Sequence, residues 1–373
     1  MLVRKAFQFR LKLTKKQQRI LGELQEECRW LYNELLEQRK LAYEELDVSL
    51  SKYDQLMLLP LLKEERPSLA TVHSQVLQNV VDRLDKAFEG FFRRCQRGER
   101  PGYPRFRGKH RYNSVCYPQS GFSLVGNCLR LSKVGLLRIK AHRPIEGTIK
   151  TCTLRQNPSG EWDVTFSCEV EAQPSLPKEE AVGIDVGLEH FATLSDGSVV
   201  TNPRFFKRGA KKLAKAQAQL SRLKKGTSAR RKKGKAVAKI HEKIRNQRKD
   251  FCHKLSRQIV DQYQFICIED LNIQKMVEGS PLAKSIHDAS WNQFRQFLTY
   301  KAVEAGRKVG VVNPAYTTQT CYRCQHRERK ELSQREHKCS QCGYTVDRDF
   351  NAAQNILALG LDGLGEIPRS LRL

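Results

Sequence analysis

The chain has no apolar run long enough to cross a bilayer. A spanning helix needs roughly 20 consecutive apolar residues, and the best candidate, Leu56 to Leu62, is short and interrupted by Pro60. The N-terminus, Met1 to Arg10, is charged and lacks the apolar core and small-residue cleavage site of a signal peptide. Acid is scarce as well: 40 Asp and Glu stand against 67 Lys and Arg, a formal charge of +27. Self-repulsion of that size works against a compact fold, so a polyanionic partner is the simplest account of it. Together these absences predict a cytoplasmic, nucleoid-associated protein with no membrane partner.

The 373 residues, 39% of them hydrophobic, are enough for two or three domains. Apolar positions at Leu21, Leu24, Cys28, Leu31 and Leu35 make a helical stripe within residues 16–48. A second stripe runs Leu69, Val72, Val76, Val80, Leu84, Phe88 and Phe91, and the two are expected to pack as a helical lobe. From Gly98 to Pro118 prolines and glycines exclude a continuous helix. Tyr103, Arg105 and Arg107 there interleave aromatic and basic groups, which suits bases and phosphates; the alternative is a basic interdomain loop. Leu129 to Ile139 and Trp162 to Glu171 alternate as strands of a small sheet or β-barrel.

Pro174 to Lys178 reads as a linker, followed by strands at Ala181–Asp185, Phe191–Leu194 and Ser198–Thr201, with Asp196-Gly197 as a hairpin turn. Arg204 to Lys254 then holds about 20 basic residues against Glu242 and Asp250 alone. A pair of helices broken near Gly226 is expected, presenting Arg230, Arg231, Lys232, Arg248 and Lys254 to nucleic acid. A solvated helical hairpin is the alternative.

Acid closes two apolar segments and opens one helix. Ala181 to Ile184 leads to Asp185, Phe265 to Ile268 leads to Glu269, and Asp347-Arg348-Asp349 opens a C-terminal helix. An isolated Asp at a helix start is more often a cap than a ligand. The combination matters: an acid on the first strand of a meander, one on a later strand and one on a final helix is the order used by RNase H-like nucleases. Carboxylates so arranged converge on two divalent ions, and hard oxygen ligands suit Mg²⁺ or Mn²⁺. In the last motif Asp347 is expected to cap the helix and Asp349 to face the site.

Twelve cysteines divide into two groups. Eight are scattered and are expected to be buried thiols. Cys321 and Cys324, then fourteen residues, then Cys339 and Cys342 form two CxxC knuckles, the spacing of a tetrahedral structural zinc site. Either pair alone could be a redox motif. His326 and His337 lie nearby, but the four thiols are complete without them.

Gly183-Ile184-Asp185-Val186-Gly187, Ile268-Glu269-Asp270-Leu271, the paired knuckles and Asp347-Arg348-Asp349-Phe350-Asn351-Ala352-Ala353 closely resemble TnpB, the transposon-encoded RNA-guided endonuclease family related to compact type V CRISPR effectors. Asn246, Arg248, Asp250, His253 and Lys254, and Gly102 to Phe106, extend the resemblance to nearly the whole chain. It implies an α+β multidomain fold, an RNase H-like (RuvC) nuclease with an inserted zinc ribbon beside a helical recognition lobe and a small wedge β-barrel. Residues 1–12 and 110–175 would form the barrel, 13–109 the lobe, and 176–314 the nuclease with a basic insertion at 204–262. Residues 315–345 would be the ribbon, and 346–373 the final helix and tail.

The resemblance further implies catalytic Asp185, Glu269 and Asp349 holding Mg²⁺ or Mn²⁺, structural Zn²⁺ on the four cysteines, a guide RNA from the transposon end, double-stranded target DNA and a monomeric ribonucleoprotein. Gln75, Gln78 and Asn79 are candidate readers of a short target-adjacent motif, the alternative being ordinary polar positions on an amphipathic helix. Two departures from the family pattern, threonine for serine within Thr317-Thr318-Gln319-Thr320-Cys321 and Gln325 for glycine, remove no ligand. A repressor that has lost its nuclease and an accessory transposase are the competing functions.

Overall fold

The computed structural model of the protein describes residues 2–109, 111–172, 174–331 and 334–363, so the expected C-terminal tail lies outside them. Its contacts divide the chain into two compact units, Leu2–Glu171 and Ala172–Leu373.

The first unit opens with strand β1 (Leu2–Lys12) and helix α1 (Lys15–Leu46). Thr14 caps α1: its hydroxyl accepts from the Gln17 N–H while the Gln17 side chain accepts from the Thr14 N–H, satisfying two otherwise orphaned donors. The stripe from Leu21 to Leu35 is buried throughout. Short helices α2 (Lys52–Met57) and α3 (Leu59–Glu65) lead to α4 (Ser74–Gln96). That helix begins later than its stripe predicts. Pro67–Thr71 is a 3-10 turn and Val72 is extended, yet Leu69 and Val72 are buried, so the periodic spacing reported burial there and not helicity.

Six strands follow: β2 (Ser114–Tyr117), β3 (Phe122–Val125), β4 (Cys128–Leu131), β5 (Gly135–Lys140), β6 (Thr148–Gln156) and β7 (Trp162–Glu171). With β1 they make an antiparallel sheet in the order β2-β6-β7-β1-β5-β4-β3. The chain's first strand is central, paired with β7 from Leu2 to Arg10 and with β5 at its end. Among the described residues β2 and β3 are the sheet's two ends and are not paired with each other, so the expected barrel is seen as a seven-stranded sheet. The described residues of the basic segment between Glu99 and Asn113 lie outside helix and strand, but Ser114–Tyr117 is a strand, with Val115 and Tyr117 turned into the core. Phe9, Leu31, Leu84, Tyr117 and Phe166 belong to one continuous cluster, so helices and sheet share a single core.

In the second unit β8 (Glu179–Asp185), β9 (His190–Leu194) and β10 (Val199–Thr201) form the predicted meander. The turn after β9 uses Gly197 at φ 89°, a conformation that costs a residue with a Cβ but not glycine. Helices α5 (Phe205–Ser221) and α6 (Ser228–Gln262) then make a hairpin whose break falls at Gly226, with Thr227 capping α6. Strand β11 (Tyr263–Glu269), helices α7 (Ile273–Val277), α8 (Ala283–Ala289) and α9 (Trp291–Ala305), and strand β12 (Lys308–Val312) follow. A small hairpin, β13 (Glu336–Lys338) and β14 (Thr345–Asp347), runs directly into α10 (Arg348–Gly363).

The main sheet has the order β10-β9-β8-β11-β12, antiparallel through the meander and parallel across β8, β11 and β12. Parallel neighbours need long crossovers, and the α5–α6 hairpin and the α7–α9 group supply them. Ile259, Phe294 and Leu298 of α6 and α9 share a core with Ile184 and Ile266 of the sheet. Ile356 and Leu361 of α10 pack with Cys267 and Val312. Glycine permits the close approach of α10. A Cβ on Gly183 would stand 2.7 Å from the Leu357 nitrogen and overlap the Ala353 carbonyl oxygen, and a Cβ on Gly360 would overlap the Cys267 thiol.

Of the eight scattered cysteines, Cys28, Cys152, Cys168, Cys252 and Cys267 are buried, Cys116 and Cys128 are half-buried, and Cys95 is exposed, against expectation. It follows the last apolar turn of α4, where the helix has left the core. Burial pushes the thiols of Cys28, Cys252 and Cys267 up to about 12, which keeps them protonated and unreactive.

Candidate active site

The parallel pairing of β8 and β11 sets Ile184 beside Ile268, so the next residues, Asp185 and Glu269, end adjacent strands at the same edge of the sheet. Each is 7% exposed. Helix α10, drawn down by Gly183, brings Asp349 to them on its first turn. Asp347 is occupied otherwise: its Oδ1 accepts from the backbone N–H groups of Asp349 and Phe350 at 2.9 and 3.0 Å, so it caps the helix. Asp270, next to Glu269, is exposed and held by Arg295.

Burial pushes the Asp185 carboxyl well above the usual carboxylate range, and the negative charges of Glu269 and Asp349 push it further. Arg348 opposes this only in part. Glu269 is also raised by burial, and the Thr317 hydroxyl, which donates to Glu269 Oε1 at 2.7 Å, offsets some of that rise. Arg335 links Glu189 (2.7 Å) to Asp349 (3.9 Å). Two buried carboxyls raised in this way, Asp185 and Glu269, favour protonation or a bound cation, while Asp349 is flanked by Arg335 and Arg348. An oxygen-only donor set on three rigid elements fits a divalent ion of the magnesium type. Next to Asp349, Glu189 and Arg335 also line a cleft of about 450 Å³ that includes Arg204, Lys207 and Ser285.

The four knuckle cysteines form a second, separate centre. Their sulfurs all lie within 4.8 Å of one another, with 3.7 Å between Cys321 and Cys342 and 3.5 Å between Cys324 and Cys339. The two loops repeat one design. The Cys321 N–H donates to the His326 carbonyl and the Gln325 N–H to the Cys321 carbonyl; Cys339, Tyr344 and Gly343 make the equivalent bonds. The repeat requires a left-handed residue in each loop, Gly343 at φ 70° and Gln325 at φ 62°, which explains why glycine is usual where Gln325 stands. Backbone N–H groups of Cys342 and Gln341 donate to Cys339 and pull its thiol down to about 6. Four sulfurs in a closed set fit a structural ion of the zinc type.

The other predicted contacts are scattered. Gln75 accepts from the Ser120 N–H at 2.8 Å, so its amide braces a loop of the sheet; Gln78 is exposed and Asn79 half-buried. Tyr103 packs edge-on against Phe88 and Phe91, Arg105 is exposed, and the Arg107 guanidinium lies over Tyr32. Arg231 and Lys232 are exposed on α6. Arg230 donates to the carbonyls of Leu220 and Leu223 and closes the end of α5. Arg248 is paired with Asp288, which also accepts from the Phe206 N–H, so this cation fastens the hairpin to α8. Lys254 pairs with Asp250 in the open, where such a pair contributes little.

Sequence reasoning passed over Thr317, Asn351 and Asn355. Asn351 donates to the Thr320 carbonyl (2.8 Å) and accepts from the Tyr322 N–H (3.0 Å); Asn355 donates to the carbonyls of Thr317 (2.9 Å) and Thr320 (2.7 Å). Their spacing of four on α10 was the available signal, since it places two amides on one helix face.

The fold, with carboxylates at strand ends and a four-cysteine ribbon running into the last helix, is of the α+β class seen in compact CRISPR effectors. Residues 165–279 match the family described as "Probable transposase", residues 291–356 the Cas12f1-like TNB domain, and residues 1–46 a helix-turn-helix domain. A protein of Streptomyces pristinaespiralis described as "Putative RNA-guided DNA endonuclease" is 34% identical over 96% of this chain and 90% of its own. A protein with the same description from Escherichia coli K12, InsQ, is 34% identical over 77% of this chain and 74% of its own. The Cas12f1 chain of a cryo-EM Cas12f1–sgRNA–target DNA complex superposes over 92% of this chain and 83% of that one with a TM-score of 0.59 at 14% identity, a likeness of fold. The chain belongs to the TnpB family.

Proposed function

We propose that this protein is an RNA-guided, divalent-metal-dependent DNA endonuclease with one RuvC-like active site. The observation that carries the proposal is that Asp185 and Glu269 end two adjacent strands side by side and buried, with Asp349 of the last helix near enough to raise the Asp185 carboxyl further. The strand order supports an RNase H-like reading: an antiparallel meander with two parallel strands added beside its first strand. The segment boundaries follow the same reading, with 1–12 and 110–175 as the wedge, 13–109 as the recognition lobe, 176–314 as the nuclease, 315–345 as the ribbon and 346–373 as the closing helix and tail.

In this site a pair of magnesium ions would activate water and stabilise the leaving oxygen of a phosphodiester. The protein's own contribution is placement. Asp185 and Glu269 are fixed by β-sheet register, and Asp349 by a helix that Gly183 admits to close packing. Arg204, Lys207 and Arg335 line the neighbouring cleft with cationic groups suited to strand phosphates. Zn²⁺ on the four cysteines would have a structural role. The charge of +27 supports a polyanion on the protein; guide RNA and double-stranded target DNA as its partners, a monomeric ribonucleoprotein and a nucleoid location rest on family membership.

Purified protein with its copurifying RNA, mixed with DNA matching that RNA, should cut in Mg²⁺ and stop cutting in EDTA or as Asp185→Ala. Guide-dependent binding of matched DNA with equal absence of cleavage in parent and Asp185→Ala would overturn the nuclease and leave a repressor. Joined rather than cleaved products would indicate a transposase.

A further inference from the structure

We infer that Thr317 is a positioning residue for Glu269, through which the base of the four-cysteine ribbon sets the geometry of the acidic site; the inference rests on the reading of Asp185, Glu269 and Asp349 as a divalent-ion site.

A glutamate at a strand end has three side-chain torsions to fix, and a buried carboxylate that swings spoils any ion geometry that depends on it. Glu269 is held at one oxygen. Thr317, 2% exposed, donates its only hydroxyl proton to Oε1 at 2.7 Å; the Pro314 carbonyl at 3.2 Å is the longer and uncharged alternative. A bond to one carboxylate oxygen leaves the second free for a cation and orients the plane of the group.

Thr317 is in turn held at its carbonyl, and the segment that follows it is held as well. Asn355 takes its carbonyl, Asn355 and Asn351 both take the Thr320 carbonyl, and the Tyr322 N–H, inside the first knuckle, donates to Asn351. Both asparagines are buried and both lie on α10, two and six residues beyond Asp349. The segment from Thr317 to Tyr322 therefore joins Glu269, the first cysteine knuckle and the helix carrying Asp349 in one hydrogen-bonded circuit. Nothing in the chemistry of the knuckle requires a threonine four residues before Cys321. Its hydroxyl has a function at Glu269.

The test measures Mn²⁺ binding by electron paramagnetic resonance on the full-length chain without nucleic acid, alongside the Mg²⁺ concentration for half-maximal cleavage by the guide complex. Thr317→Val keeps the branched shape and removes the hydroxyl. It should weaken Mn²⁺ binding about tenfold and raise the Mg²⁺ requirement in step, the usual cost of losing a group that orients a metal ligand. Thr317→Ser should return both to within about twofold of the parent, and zinc content should stay the same in all three. Should Val lower zinc content or solubility, Thr317→Ala, smaller than threonine, takes its place with the same expected loss. Parental Mn²⁺ affinity in Val and Ala variants, while Asp185→Ala has lost it, would overturn the role of Thr317 alone. Mn²⁺ binding that is unchanged by Asp185→Ala would overturn the ion-site reading and this inference with it.

Discussion

Replacing Gly183 with alanine tests whether packing and chemistry are tied as closely as the structure implies. Glycine is there because α10 crosses β8 with no space for a side chain. An added Cβ would lie 2.7 Å from the Leu357 nitrogen, where ordinary contact begins at 3.4 Å, and nearer still to the Ala353 carbonyl oxygen, so the helix must retreat by more than roughly 0.7 Å. The obstructing atoms include backbone of a helix anchored by Ile356 and Leu361, so no side-chain rotation relieves the overlap. Overpacking a tight contact costs about 1–3 kcal/mol, and the upper half of that range is expected for a backbone obstacle. Asp349 moves with the helix while Asp185 and Glu269 stay with the sheet. A displacement of about 1 Å at a reacting centre costs on the order of 10²-fold in rate, so cleavage should fall far more than stability. Urea melts give the first quantity and single-turnover cleavage the second. Gly234→Ala is the control: it lies within α6 with nothing in the way and should be neutral or stabilising. Parental stability and parental cleavage in Gly183→Ala would refute the argument that this contact sets the site.

Asp185→Asn should abolish cleavage yet raise the melting temperature of the metal-free protein at neutral pH, because it removes a buried carboxylate that burial, Glu269 and Asp349 disfavour. The sign follows from linkage: a carboxyl raised in the folded state contributes most below its unfolded value near 4 and loses that contribution as pH rises through its folded value, so metal-free stability should fall with rising pH above about 4 in the parent and less in the variant. Magnesium should flatten the parent's curve. Cys339→Ser should lower zinc content and stability together, and equal zinc in variant and parent by elemental analysis would defeat the assignment. Gln325→Gly should stabilise the first knuckle by about 1 kcal/mol, since a left-handed residue with a Cβ costs roughly 1–2 kcal/mol that glycine avoids; an unchanged or lower thermal midpoint would show that the Gln325 side chain, which donates to the Tyr322 carbonyl, offsets the strain.

Several features were legible in the chain itself because each depends on local chemistry. The CxxC spacing fixes four thiols within reach of one ion. The apolar runs ending at Asp185 and Glu269 are strands because β-branched and aromatic residues dominate them, and the Asp-x-Asp opening of α10 follows from capping. The α5–α6 hairpin was marked by Gly226 and Thr227. Family resemblance gave the order of the segments. Individual nucleic-acid contacts were less legible: charge count says that Arg230 and Arg248 are basic, but not that the one closes a helix end and the other is taken by Asp288.

What only the tertiary structure decided involves pairs of residues far apart in sequence. Composition does not set Asp185 beside Glu269, which parallel register does, or show that Gly183 exists to admit a helix. Nor does it connect Thr317 to Glu269, because a hydroxyl and a carboxylate 48 positions apart become partners only when a crossover returns the chain to the same sheet edge. Sequence determines which groups are present and their local conformation; the distances on which charge, metal binding and catalysis depend are set by the packing of one element on another.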